Sequence, residues 1–251
     1  MTSLAALATD KHAKLKVLES GDYSRYKKQN LIPIVAKDFF TLAAEFPLVF
    51  VTRDKPGEFV PVAIMGLRDG QNLYCQTGQW KAQVVPVSFG NAPFSIARAD
   101  SEGEQFAVLV DEDSPLLNES EGKAIFTEDG NRTDFMEKRI ESLVDVTQQA
   151  VQTQKICKQF SDKNLLVTHQ VQLQHRPDAM RYNIDGIYVI DEKALNELPD
   201  EDFLALRKQG LLPLIYAHLS SLQQLRRISM LQYEADKAAD EADEEEQGEQ
   251  E

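Results

Sequence analysis

Residues 47–67 of the chain read PLVFVTRDKPGEFVPVAIMGL, and this stretch decides the fold. Two apolar runs, residues 48–51 and 59–65, flank a turn signal that contains Pro56 and Gly57. Proline fixes the backbone for a turn and glycine tolerates a positive φ, so the chain can reverse direction there. Valine, isoleucine and phenylalanine favour strands. The stretch therefore predicts a β-hairpin whose strands are buried on both faces, and such a hairpin needs other elements packed on it.

The segments around this hairpin predict an α+β fold. The first half of the chain contains short apolar runs separated by turn residues, which is typical of closely spaced strands. The second half contains apolar residues at helical spacing over residues 133–160 and again over residues 211–233. Between these helices, residues 165–173 have the alternation of a strand, and residues 184–190 are also predicted to form a strand. We expect a mostly antiparallel sheet from the N-terminal half, packed by helices from the C-terminal half.

Charge and hydrophobic content set the expected domain limits. The chain has 251 residues, 42% of them hydrophobic, which is enough for a large core. Its net charge is −14, and residues 234–251 carry ten acidic residues and one lysine. Such a tail cannot bury apolar surface and is predicted to be disordered. Residues 1–13 are also predicted to be disordered, which leaves a single domain over residues 14–233.

The same composition excludes several classes of function. An acidic chain without a basic patch repels phosphates, so nucleic acid is not an expected partner. The N-terminus lacks the basic and apolar regions of a signal peptide, and no apolar run reaches the length of a membrane span. The sequence therefore predicts a cytoplasmic protein. Cys75 and Cys157 are expected to be reduced, buried thiols.

An aromatic concentration is the candidate binding surface. Aromatic side chains are enriched at protein interfaces, although most such clusters belong to a core. A partner-binding surface is therefore one interpretation of the aromatic residues that lie within about twenty positions, and the alternative is ordinary packing. These residues are Tyr74, Trp80, Phe89 and Phe94.

Two histidines provide an alternative, catalytic interpretation. His169 and His175 lie on a predicted strand and at its exit, and Asp185 is near them in sequence. Two histidines and one carboxylate are the ligands of non-haem iron oxygenases. The spacing does not match a typical ligand motif, which favours two ordinary surface histidines and no metal or cofactor. A nucleotide-binding glycine motif and a nucleophile elbow are likewise absent from the sequence.

Several short segments together resemble the bacterial SapC family, which is named after a gene of a surface-array (S-layer) cluster. The resemblance covers roughly residues 12–230 and rests on the order and spacing of the segments. They are residues 45–50 (EFPLVF), 62–67 (VAIMGL), 72–74 (NLY), Trp80, 93–94 (PF), 124–126 (AIF), Asp129, Gly130, Gly186, 191–192 (DE), 210–212 (GLL) and 215–222 (IYAHLSSL).

The resemblance implies a context more than a reaction, because the family supplies no catalytic residues to carry over. Its members often lie beside genes for tryptophan-halogenase-like enzymes, which implies an accessory protein that presents a substrate. We therefore expect a non-catalytic protein that binds a protein or peptide, such as a halogenase-like enzyme or its substrate. The alternatives are an iron oxygenase-type enzyme and a surface-layer structural or export component.

Overall fold

The computed structural model describes residues 3–53, 55, 57–98 and 106–248. Asp54 and Pro56 of the predicted turn lie outside these residues. The strands are β1 (Leu4–Ala6), β2 (Lys16–Val17), β3 (Leu31–Pro33), β4 (Leu48–Thr52), β5 (Phe59–Ile64), β6 (Phe94–Arg98), β7 (Phe106–Asp111), β8 (Leu117–Asn118), β9 (Lys123–Ala124), β10 (Leu166–Leu173) and β11 (Tyr182–Ile190). The helices are α1 (Thr9–His12), α2 (Phe39–Leu42), α3 (Asp134–Asp162), α4 (Glu192–Asn196), α5 (Asp200–Lys208), α6 (Leu212–Ser221) and α7 (Leu225–Gly248).

The α+β class is confirmed, since antiparallel sheets are built largely from the first half and most helices lie in the second half. The structure groups its described residues into two compact units, whereas the sequence predicts one domain over residues 14–233. Unit 1 lies within residues 1–21 and 86–149. Unit 2 lies within residues 22–85 and 150–251.

Unit 1 contains two three-stranded antiparallel sheets, with strand orders β1–β7–β6 and β8–β2–β9. The N-terminal segment differs from the predicted disorder, because β1 pairs with β7 in register and α1 follows it. Its His12 is buried, and Nε2 of His12 lies 2.9 Å from Glu112 Oε1. The core of this unit is apolar and consists of Val17, Phe94, Val110, Ile125, Phe126, Met136 and Leu143.

Unit 2 contains a five-stranded antiparallel sheet in the order β10–β11–β4–β5–β3. The predicted hairpin is confirmed as β4 and β5, with Leu48 opposite Ala63 and Thr52 opposite Phe59. The consecutive residues of β4 from Leu48 to Phe50 are all buried, as expected for a strand covered on both faces. The sheet also takes two strands, β10 and β11, from the second half of the chain.

Proline in the central strand β5 has a local explanation. Pro61 lies opposite Phe50 of β4, and its carbonyl accepts a hydrogen bond from the Ile34 N–H at 3.0 Å. The nitrogen and carbonyl of one strand residue point to the same side, so the missing N–H of Pro61 faces the short strand β3. The ladder between β4 and β5 therefore loses no donor at this position.

Helix α6 is attached to the sheet by buried polar side chains. His218 Nδ1 donates to the Leu48 carbonyl at 2.8 Å, and His218 Nε2 accepts from the Ile190 N–H at 3.0 Å. Ser221 Oγ accepts from the Leu48 N–H at 3.0 Å. Burial lowers the pKa of His218 to about 4, so the ring is neutral and one nitrogen remains an acceptor. The ring therefore joins two strands to one helix.

The last predicted helix differs from the structure in two ways. The expected continuous helix over residues 211–233 is divided into α6 and α7 by a short 3₁₀ segment, Leu222–Gln224. Ser221 Oγ donates to the His218 carbonyl at 2.6 Å, a local bond that competes with the regular helix ladder and bends helices. Helix α7 then runs to Gly248, through most of the tail that was predicted to be disordered.

Good helix formers account for this extension of α7. The tail is rich in alanine and glutamate, both of which favour helices. Lys237 and Glu241 form an ion pair at 3.3 Å with the i, i+4 spacing that stabilises helices. The prediction of disorder rested on the low hydrophobicity of the tail. Hydrophobicity does not report how readily these residues form a helix.

Candidate functional site

The predicted aromatic surface is largely part of the interior. Tyr74, Phe89 and Phe94 are buried, so their rings are unavailable to a partner in this structure. Tyr74 and Trp80 belong to unit 2, whereas Phe89 and Phe94 belong to unit 1. Trp80 is half-buried, and its indole N–H donates to the Val84 carbonyl at 2.8 Å. The enrichment in aromatic residues thus reflects packing in at least three of the four positions.

The alternative metal site is not assembled. His169 and Asp185 are exposed, while the ring of His175 lies 5.3 Å from the ring of Tyr233. Within the described ranges, no group of three His, Cys, Asp or Glu side chains is placed to hold a metal ion. The structure therefore does not bring His169, His175 and Asp185 together as ligands.

The buried nucleophiles also lack the geometry of a catalytic site. Burial raises the pKa of the Cys75 thiol to about 11 and that of the Cys157 thiol to about 12, which disfavours the reactive thiolate. Both thiols are free and buried, as predicted. His218 and Ser221 are hydrogen-bonded to backbone groups, so their polar atoms serve the fold.

The exposed edge of the five-stranded sheet is the more informative feature. Strand β10, with the sequence LVTHQVQL, lies at one end of the sheet, and in the part of the chain that the structure describes it pairs only with β11. Residues 167–170 of this strand are exposed, and Val167 keeps 36% of its surface accessible. An edge strand presents a row of backbone N–H and C=O groups to a possible partner.

Strand β10 lacks the charged residues and proline that often protect an edge strand. Natural edge strands often carry lysine, other charged residues or proline, which discourage pairing with another chain. The eight residues Leu166–Leu173 contain no proline and no acidic residue, lysine or arginine. At the opposite end of the sheet, β3 has three residues and ends with Pro33, so it offers a much poorer template. The two edges of this sheet are therefore not equivalent.

A β-bulge lies beside the exposed edge. His169 is opposite Ile187 and Val171 is opposite Ile184, so Asp185 and Gly186 together face the single residue Gln170. Gly186 has a φ of +72°, the left-handed conformation that glycine adopts at bulges of this kind. The extra residue is therefore in β11 and not in the edge strand β10.

Strands β10 and β11 form a hairpin, and polar contacts hold its far end, where β11 begins at Tyr182. The Arg68 guanidinium lies 2.9 Å from Asp236 Oδ1, and Arg68 Nε donates to the Tyr182 hydroxyl at 2.9 Å. The Tyr182 hydroxyl in turn donates to Asp236. Burial, and then the hydrogen bond to Asp236, raise the pKa of Tyr182, which keeps the hydroxyl protonated as a donor. These contacts link β11 to helix α7.

The near end of the hairpin, where β11 ends at Ile190, is held by the rest of the sheet and by α6. The Tyr188 ring packs edge-on against Phe59, with 4.8 Å between ring centroids, and Ile190 donates to His218. Strand β11 is therefore fixed at both ends by β4, α6 and α7. Among the described residues, its partner β10 pairs with a strand on one side only, which leaves the other edge of β10 open.

A groove elsewhere in unit 2 is less specific. It has a volume of about 610 Å³ and lies between the β4–β5 turn and α3. Its lining mixes charges of both signs, and Lys158 is paired with Asp162 at 2.8 Å. This mixture gives no preference for a ligand class.

Comparison with known proteins gives a match to one sequence family, and the matched range includes the edge strand. A family model described as SapC matches residues 7–228, a range that includes β10, β11 and His218. Comparison with curated proteins and with solved structures gives no match. Among the helices of the described residues, none is long and apolar enough to cross a membrane. Sequence reasoning could not have found the edge site, because the order of strands in the sheet is not encoded locally.

Proposed function

This chain belongs to the SapC family, and we propose that it is a non-catalytic accessory protein of the cytoplasm that binds an extended segment of a protein or peptide. The observation that carries the proposal is the open, uncharged edge of β10. A segment in extended conformation would add to this edge as a sixth strand. Main-chain hydrogen bonds would supply affinity, and alternate side chains would supply specificity.

The geometry of β10 supports this mode of binding. Each hydrogen bond formed across the new strand pair contributes about 0.5–1.5 kcal/mol, so several bonds along eight residues suffice for a transient complex. The strand is already ordered by β11, so the protein loses little conformational entropy on binding. The bound segment would be held extended and accessible on its outer side, which suits presentation to a modifying enzyme. A tryptophan-halogenase-like enzyme, or its substrate, fits this role.

The first experiment locates the contact. A photo-crosslinking amino acid replaces Gln170 at the middle of β10, and in a control protein it replaces the exposed Lys208 at the end of α5. Both proteins are irradiated in cells that carry the gene natively. We expect position 170, and not position 208, to give a defined product that contains a different protein and so differs in mass from a crosslinked pair of copies of this chain. Identical products from both positions, or none from position 170, would contradict the proposal.

A second experiment tests strand addition itself. The crosslinked segment is synthesised as a peptide in two forms, with methyl groups on alternate backbone nitrogens. Only one of the two sets of N–H groups can point toward β10, because successive residues of a strand face opposite sides. We expect one methylated peptide to bind nearly as well as the unmodified peptide and the other to lose binding. Equal binding by both forms would rule out a β-strand mode.

A further inference from the structure

We infer that, without a partner, two copies of this chain pair antiparallel through their β10 edges, with Gln170 opposite Gln170 of the second copy. The inference rests on the proposed function only because both use the same edge. The second copy would occupy the docking site, so a partner segment must displace it. Pairing of copies thus acts as a regulator of partner binding.

The sequence of β10 is largely complementary to itself in this register. Side chains directly opposite one another in an antiparallel pair lie on the same face of the sheet and contact each other. Centring the pair on Gln170 places Val167 opposite Leu173 of the second copy, and Thr168 opposite Gln172 of the second copy. These pairs match apolar with apolar and polar with polar, as does Gln170 with Gln170. His169, which lies opposite Val171 of the second copy, is the exception.

Exposure along the strand follows the same complementarity. Val167 is exposed, whereas Val171 is buried and Leu173 is half-buried. In the centred register, the exposed end of one strand lies beside the covered end of the other. Each copy would therefore extend the apolar surface of its neighbour where that surface is open.

Charge within the strand does not oppose pairing. Like charges directly opposite each other destabilise a strand pair, but β10 contains no lysine, arginine or acidic residue. The net charge of −14 does oppose the approach of two copies over longer distances. Because salt screens this repulsion, the dimer should be tighter at higher ionic strength.

Cysteine substitution tests the register with the purified protein alone. Gln170→Cys places two thiols opposite each other, and mild oxidation should give a covalent dimer. Gln172→Cys is the matched control, since residue 172 of one copy lies about 14 Å from residue 172 of the other, given about 3.4 Å per residue. A disulfide cannot span that distance. Native Cys75 and Cys157 are buried and do not compete.

Paired charge changes provide a second, independent measurement. The double variant Thr168→Lys with Gln172→Glu places opposite charges across the interface, whereas Thr168→Lys with Gln172→Lys places lysine against lysine. Both positions are exposed, so both proteins should fold. We expect the dissociation constant of the dimer, measured by analytical ultracentrifugation, to be at least about tenfold lower for the first variant.

The outcomes separate this inference from the proposed function. A protein that stays monomeric at high concentration and high salt, or equal crosslinking at positions 170 and 172, would overturn the pairing of copies. Neither result affects the peptide experiments, which depend on a captured partner segment. Conversely, failure to capture a partner leaves the self-pairing measurements valid.

Discussion

The two hairpins of the five-stranded sheet, β4–β5 and β10–β11, are neighbours with opposite surroundings. β4 lies in the middle of the sheet and buries consecutive residues, whereas β10 lies at the end and exposes residues 167–170. The strands of the first hairpin are almost entirely apolar, whereas β10 mixes apolar with polar residues and contains no lysine, arginine or acidic residue. One hairpin is therefore enclosed by the fold, while the other has an open strand edge.

Truncation of one apolar side chain in each hairpin should give the largest difference in stability between the two hairpins. Phe50 in β4 is buried, so Phe50→Ala should lower the free energy of unfolding by about 3–5 kcal/mol. Val167 in β10 is exposed, and Val167→Ala should cost less than about 1 kcal/mol. Urea unfolding of both variants measures the difference. Similar losses at the two positions would show that β10 also belongs to the scaffold.

The histidine that joins α6 to both hairpins gives the next largest effect. The ordinary pKa of histidine is 6.5, whereas burial lowers that of folded His218 to about 4. The unfolded chain therefore binds more protons between these values, and stability falls as the pH drops from 6.5 to 4, by about 3 kcal/mol. Unfolding measured at several pH values tests this.

A non-titrating replacement provides the control for the pH measurement. His218→Gln retains an amide that can donate to Leu48 and accept from Ile190, but it cannot be protonated in this range. We expect this variant to be less stable at neutral pH and to lose much of the acid sensitivity. An unchanged pH dependence in His218→Gln would assign the effect to other groups.

The bulge in β11 should give a smaller effect, confined to the exposed hairpin. A Cβ at Gly186 meets no atom within 4 Å, so Gly186→Ala is penalised only by the φ of +72°. We expect a loss of about 1–2 kcal/mol, and a lower loss for Gly186→Asn because asparagine tolerates this conformation better. Thermal unfolding distinguishes the two. Equal losses of stability in the two variants would show that the positive φ of Gly186 is not the reason for a glycine at this position.

The contact between the hairpin and α7 should give the smallest change. Tyr182→Phe removes the hydroxyl that bonds both Arg68 and Asp236, at a cost of about 1 kcal/mol. Amide hydrogen exchange should become faster at the far end of β10–β11 and stay unchanged in β4. Tyr216→Phe, at an exposed position on α6, is the control. Faster exchange throughout unit 2 would contradict a local role.

Local patterns in the sequence were sufficient for several elements of this fold. The apolar runs with their turn predicted β4–β5, and helical spacing predicted α3. Asp191 follows β11 and caps α4, and its Oδ1 accepts hydrogen bonds from the N–H groups of Lys193 and Ala194. These features depend on neighbouring residues alone, which is why a single sequence contains them.

Other features depend on contacts that are distant in sequence. The break between α6 and α7 occurs next to Ser221, whose Oγ accepts a hydrogen bond from the N–H of Leu48, 173 positions away. The burial of Tyr74 depends on its packing against Phe46, with 4.8 Å between ring centroids, so aromatic content could not distinguish core from surface. The position of β10 at the edge depends on β11 pairing with β4. The candidate site follows from strand order, and strand order required the structure.

Hydrogen exchange along β10, measured with and without the captured partner segment, tests directly whether the segment binds at the open edge of this strand. The protein is kept dilute so that copies do not pair, and each amide of Leu166–Leu173 is followed. We expect alternate amides of β10 to exchange rapidly in the free protein and to be protected when the segment binds. Binding of the segment with no change in β10, and with protection elsewhere, would contradict it.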